Sequence, residues 1–100
     1  MNTAIAMDPS DNVATVLQQV FAGEDIIVKD KNMNTLIMVK AKEGIPFAHK
    51  ICVAPISKND YVHKFGVTIG LAVDNIAVGE YVHIHNLVSI EGYVKVIKED

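Results

Sequence analysis

Arginine is absent from the chain, cysteine occurs once, and no apolar run extends beyond a few residues. Nine lysines stand against twelve acidic residues, for a formal charge of -3. Readers of the phosphate backbone usually carry basic clusters and exploit the bidentate guanidinium fork, so nucleic acid is not expected as a partner. The lone Cys52 has no second thiol for an internal disulfide, and nothing at the amino end resembles a basic, apolar, cleavable export signal. The expected compartment is therefore the cytoplasm. A bilayer-spanning helix needs about 20 apolar residues. The runs here are broken by Gly, Lys, Asp or His well short of that length, so a soluble protein without a membrane partner is expected.

What is present points to a folded domain. Half of the residues are apolar and 21% are charged, which argues against disorder. One hundred residues form at most one domain, read as residues 1–100 with a core over about 11–97. Such a core is thin enough to lean on a partner chain. The segment "MDPSDNVATVLQQVF" opens with turn residues, and Asp11 or Ser10 can cap a short helix in which Val13, Val16, Leu17 and Val20 share a face. From Asp25 onward Ile, Val, Thr and Tyr dominate, in short runs such as "DIIVKD", "TLIMVKA", "HKICVAPI" and "YVHIHNL". Gly, Asn, Asp or Pro separates them. Short strands joined by tight turns make a compact, mostly β domain with one short N-terminal helix. In "KDKNMNT", a turn between two strands, asparagine supplies the tolerance for positive φ.

A weak repeat runs through this pattern. "VFAGEDI", "ISKNDYV" and "IAVGEYV", starting at residues 20, 56 and 76, share an aliphatic residue, two spacers, Gly or Asn, an acid, a spacer and an aliphatic residue. Gly23, Asn59 and Gly79 would each take an unusual dihedral before the chain enters a strand. The spacing is irregular, so the chain is a compact barrel-like or clip-like structure and not a solenoid.

Four histidines and several lysines are the residues that could carry chemistry. On an extended strand His83 and His85 of "GEYVHIHNL" point to one side, while Val82 and Ile84 cover the apolar side. Two imidazoles at that spacing can chelate a divalent metal if other ligands come from elsewhere, or can simply form a solvated strand face. Asn86 falls where the strand should end, hydrogen-bonding its own turn. His49 and Lys50 are adjacent and would diverge on a strand, but Pro46 just before them allows the backbone to turn so that both serve one anionic ligand. Lys50 and Lys64 read either as anion-attracting groups or as solvated heads whose methylenes lie on the sheet. Gly66 and Gly70 bracket "VTI" and suit a strand that bends or admits a neighbouring backbone. Cys52, between Ile51 and Val53, reads as a structural thiol. Asp11, Asp25, Asp60 and Asp74 fall in turn or cap contexts, leaving too few convergent acids for a self-contained hydrolase or lyase.

The motifs "DNVATVL", "AGEDI", "GIPFAHKI" and "HKFGVTIGLAVDNIAVGEYVHIHNL" together resemble the amino-terminal domain of the altronate and galactarate dehydratase family, a SAF-type module with a β-clip fold. The resemblance covers about Asp11 to Leu87. It implies removal of water from a sugar acid to give a 2-keto-3-deoxy acid, usually with Fe2+, Mn2+ or another divalent metal. It also implies a larger catalytic partner, either a C-terminal catalytic domain or a separate large subunit. The second arrangement is that of the related sulfolactate sulfo-lyase, whose small alpha subunit is the same kind of module. On this resemblance His49, Lys50 and Lys64 would act on the substrate, and His83 and His85 would supply metal or substrate contacts. Two departures stand out. Ala48 takes the place of the family's usual glycine before His-Lys, and Phe65 takes that of a tyrosine before Gly66.

Such an elimination removes the proton from carbon 2 of a hydroxy acid, gathers charge on the carboxylate as an enediolate, and expels a group from carbon 3. Lysine cations can hold the carboxylate, and a divalent metal can polarise the substrate oxygens. The base and the remaining ligands are expected from the large partner, or from another copy in a homo-oligomer. The expected substrate is a sugar acid, or sulfolactate with sulfite as the leaving group. A non-catalytic module that binds a small anion or a partner protein is the reading from a different class.

Overall fold

The computed structural model describes residues 2–89, and every regular element in that range is a strand. A six-stranded sheet holds β1 (Asn2–Ile5), β2 (Val13–Val16), β3 (Asp25–Lys29), β4 (Thr35–Lys40), β5 (Lys50–Cys52) and β8 (Tyr81–Val82) in the order β4-β3-β1-β2-β5-β8. A second sheet holds β6 (Tyr61–Lys64), β7 (Val67–Ala72) and β9 (Leu87–Ser89) in the order β6-β7-β9. Only β1 and β3 run parallel. The mostly β, compact fold is as expected. Strand β1, ahead of the stretch read as the core, lies at the centre of the larger sheet. Among the described residues no helix is long and apolar enough to cross a membrane.

The expected N-terminal helix is not there. Residues 13–16 form β2, with Val16 opposite Ala4 of β1 and Val13 opposite Cys52 of β5. The helical spacing of Val13, Val16, Leu17 and Val20 loses to a Val-Ala-Thr-Val run whose branched side chains suit a pleated surface with a neighbour on each side. Asp11 caps a loop instead: its Oδ2 accepts from the amides of Met7 and Asp8 at 3.0 and 3.1 Å, and its Oδ1 from Gly66 at 2.8 Å. In the β3–β4 turn it is Met33, not an asparagine, that takes positive φ, at 65°. Asp30 organises that turn by accepting from the amides of Asn32 and Asn34, both at 2.9 Å.

Two apolar clusters hold the sheets. One gathers Ala4, Val16, Val20, Ile26, Val28, Val39, Ile45 and Ile51 on the larger sheet. The other, Val13, Cys52, Ile56, Val62, Ala72, Ile76 and Val82, draws on both sheets and forms the seam between them. Each fully buried Val or Ile contributes roughly 1.5–3 kcal/mol. Asn12 locks the seam with polar contacts, donating from Nδ2 to the Tyr61 carbonyl at 3.0 Å and accepting at Oδ1 from the His63 amide at 2.8 Å. Gly70 admits the β9 backbone as its position suggests, since a Cβ there would strike the Val88 carbonyl. The Cys52 thiol is buried, which pushes its pKa to about 11, and it donates to the Ala54 carbonyl at 3.0 Å. A protonated, buried thiol is a structural one.

Candidate functional site at the β5–β8 edge

The repeated turn positions the site, and the fold contains a fourth copy that the sequence pattern missed. Val20, Ile45, Ile56 and Ile76 each open a turn whose fourth residue has positive φ: Gly23 at 89°, Ala48 at 69°, Asn59 at 74° and Gly79 at 94°. The copies bridge in pairs, Val20 with Ile45 and Ile56 with Ile76. In two copies the fifth residue is a glutamate that folds back on the turn: Glu24 accepts from the Phe21 amide at 2.6 Å and Glu80 from the Ala77 amide at 2.5 Å. In the turn entering β5 the corresponding amide does not exist, because the residue is Pro46. No acceptor is needed there, and the fifth residue is His49. Its amide still closes the turn on the Pro46 carbonyl at 3.0 Å, which is the backbone turn that lets His49 and Lys50 face one region.

His49 reaches across to β8. Its Nδ1 is hydrogen-bonded to the Tyr81 hydroxyl at 2.5 Å, and its ring lies 4.9 Å from that of His83. Tyr81 stacks on His83 at 5.4 Å with 13° between planes, and lies 5.6 Å from His85. The expectation that His83 and His85 share a side is met through this common neighbour. The reason differs, because β8 ends at Val82 and residues 83–86 form a turn. Asn86, buried, holds that turn by accepting from the His83 amide at 2.9 Å and donating to the Tyr81 carbonyl at 2.8 Å. One expectation fails here: Ile84 does not face the core but is 84% exposed, because it sits on the turn and not in an extended strand.

The lysines add positive charge beside the rings. Lys50 is half-buried, and its pKa is lowered first by that burial and then by the charge of Lys64 on the neighbouring β6–β7 hairpin. Lys64 Nζ sits 5.0 Å above the Phe65 ring, at a turn in which Phe65 and Gly66 both have positive φ, 55° and 76°. The His83 imidazole is held below its usual pKa by partial removal from water and by His49, Lys50 and His85. His63 lies apart, its Nδ1 bonded to Thr68 Oγ1 at 3.0 Å. The structure thus brings His49, Lys50, His83 and His85 to one edge with Lys64 beside it, and adds Tyr81. The signal for Tyr81 was available, since residues 81, 83 and 85 alternate and its position in the turn repeat matches that of Lys50.

This edge sets lysine cations beside imidazoles, a combination that can attract a small anion. Among the described residues no three His, Cys, Asp or Glu side chains come together as a metal-holding set. His83 and His85 are two imidazole donors, His49 Nδ1 is engaged by Tyr81, and lysine cations lie close by. Two hollows of the surface lie away from the cluster, around Ala6, Asp8, Pro9 and Leu36. The cluster lies at the surface as an open edge, with His85 exposed and His49, Lys50, Lys64, Tyr81 and His83 half-buried.

Residues 2–90 match the altronate/galactarate dehydratase SAF domain. The chain is 31% identical over 86 residues to altronate dehydratase of Bacillus subtilis, covering 86% of this chain and 16% of that protein. It is 33% identical over 76 residues to altronate dehydratase of Escherichia coli, covering 76% of this chain and 14% of that one. Against the (2R)-sulfolactate sulfo-lyase subunit alpha of Chromohalobacter salexigens it is 30% identical over 84 residues, covering 83% of this chain and 89% of the relative. The chain therefore spans a small part of the dehydratases and nearly all of the sulfo-lyase subunit. With a match across the whole described range and the turn-and-histidine edge in place, the chain belongs to the altronate/galactarate dehydratase SAF-domain family.

Proposed function

We propose that this chain is the small module of a lyase that eliminates a group from carbon 3 of a 2-hydroxy acid, and that its β5–β8 edge faces a site completed by a larger catalytic partner. The observation that carries this reading is the convergence of His49, Tyr81, His83 and His85 with Lys50 and Lys64 on an open edge. Lys50 and Lys64 attract the substrate carboxylate and stabilise the charge that gathers on it when the carbon-2 proton leaves. His49 offers Nε2 to a substrate oxygen. His83 and His85 contact substrate, or supply two of the ligands of a divalent ion, Fe2+ or Mn2+, whose remaining ligands belong to the partner. The base comes from the partner: the one carboxylate bonded to a cluster residue among the described residues, Glu43, is engaged by the Tyr81 backbone amide at 3.1 Å.

Water leaving from a sugar acid such as altronate is the first reading. Sulfite leaving from sulfolactate is the second, favoured by the 89% coverage of a relative that is itself a separate alpha subunit. The test is reconstitution with the large lyase subunit that co-purifies with the chain from its native source, assayed on altronate, galactarate and sulfolactate with Fe2+ or Mn2+. The chain alone should be inactive and the assembly active. His83→Ala and His85→Ala should each lower turnover or metal retention about 10-fold or more, as expected for a positioned ligand or its neighbour, without changing the thermal midpoint. Full activity in both variants, or turnover by the isolated chain, would sink the proposal.

A further inference from the structure

We infer that Tyr81 is a positioning residue that holds neutral His49 as the Nε2–H tautomer, so that the ring presents a hydrogen-bond donor to the ligand. The inference rests on the reading of this edge as an anion site and deepens it. A neutral imidazole has one donor and one acceptor nitrogen, and the partner of one nitrogen decides what the other can do. The partner of Nδ1 is the Tyr81 hydroxyl at 2.5 Å. A phenol, with a pKa near 10, is a far better donor than a neutral imidazole N–H, and an imidazole nitrogen is a better acceptor than a phenol oxygen. The favourable direction is therefore Tyr81 O–H to His49 Nδ1, which leaves the hydrogen on Nε2. Among the described residues the Tyr81 hydroxyl has no other hydrogen-bond partner, so none of them draws its proton elsewhere.

The surroundings fix the phenol as well as the imidazole. Tyr81 is anchored through its backbone, its amide donating to Glu43 Oε2 at 3.1 Å and its carbonyl accepting from Asn86 Nδ2 at 2.8 Å. Its ring is held by the stack on His83. The Pro46–His49 turn and the pairing of β5 with β8 set the His49 backbone beside Tyr81. A donor at Nε2 complements the lysines: all three groups then offer hydrogens to a carboxylate or to a departing oxygen. The opposite tautomer would turn a lone pair toward an anion and repel it. The assignment needs no change of charge on any ring.

The test begins with the full chain labelled with 15N, its imidazoles recorded in a long-range proton–nitrogen correlation at about pH 8.5, where an ordinary histidine is neutral, and with His49 identified by the signals lost in His49→Gln. Nε2 of His49 should carry the hydrogen. Tyr81→Phe, which keeps the ring stack, should shift the ring to a mixture of tautomers, and in the reconstituted lyase should lower kcat on the order of 10-fold with little change in KM. Hydrogen on Nδ1 in the native chain overturns the inference, and this readout stands even if the variant does not fold. An unchanged tautomer or an unchanged kcat in a folded Tyr81→Phe overturns it too. A fixed Nε2–H tautomer in a chain whose assembly acts on no hydroxy acid leaves the tautomer assignment intact and removes the lyase reading instead.

Discussion

The turns that lead into β3 and β5 begin alike and end differently. Val20 and Ile45, both fully buried, exchange backbone hydrogen bonds of 2.9 Å in each direction, so the two turns lie back to back. In the first, Gly23 takes the positive φ and Glu24 closes on the Phe21 amide at 2.6 Å and on Asn2 Nδ2 at 3.2 Å. In the second, Ala48 takes the positive φ, Pro46 removes the amide, and His49 is free to reach Tyr81. The same backbone device serves local closure in one place and presents an imidazole in the other. The strain of a non-glycine residue sits next to the side chain proposed to face a ligand, a common location for it.

The largest expected effect falls on what the two turns share. Ile45→Ala removes a buried side chain from the back-to-back pair and should cost roughly 2–5 kcal/mol, read from the denaturant midpoint. Ile84→Ala, the same chemical change on an exposed turn, should stay within about 0.5 kcal/mol of the native value. Equal losses at the two sites would refute the placement of Ile84.

A smaller effect should separate the two turns at their fourth residue. Ala48→Gly relieves the left-handed backbone and should stabilise the chain by about 0.5–1 kcal/mol. Gly23→Ala should cost about 1 kcal/mol, and since a Cβ at Gly23 meets nothing within 4 Å, that cost is backbone strain alone. If both changes proved neutral in thermal unfolding, the turns would not differ in strain.

The smallest effect is on pH dependence. His83 binds its proton less readily in the fold than in the unfolded chain, because of partial removal from water and the nearby His49, Lys50 and His85. Between the lowered pKa and the ordinary value of 6.5 the unfolded chain therefore holds more protons. Stability should fall as pH drops below about 6.5 and level off beneath the folded pKa. The denaturant midpoint of His83→Gln should depend less on pH across that window. A steeper dependence would mean that His83 is not the group being charged.

Much of this was legible from composition and spacing. The runs of branched residues and the recurring turn residues marked the strands, and the three visible copies of the turn marked where positive φ would fall. The fourth copy was hidden because its fourth and fifth residues, Ala48 and His49, match neither the glycine nor the acid of the pattern. The helix read over Val13–Val20 failed because apolar periodicity over eight residues does not separate a helix from a strand flanked on both sides. Ile84 was assigned to the core on strict alternation, and alternation stops where Asn86 closes the turn.

By itself, the sequence determined a mostly β chain with no helix long and apolar enough to span a membrane among its described residues, and it singled out His49, Lys50, Lys64, His83 and His85 as the residues to locate in the fold. Local residue preference and spacing are enough for that, since they act within a few residues. Only the tertiary structure decided that His49 meets Tyr81 and His83, residues more than thirty positions away, and that Lys64 comes from the other sheet to press on Lys50. Those meetings depend on the pairing of β5 with β8 and on the seam that docks the two sheets. Both arise from the packing of buried side chains across long sequence separations, which no short stretch of the chain encodes.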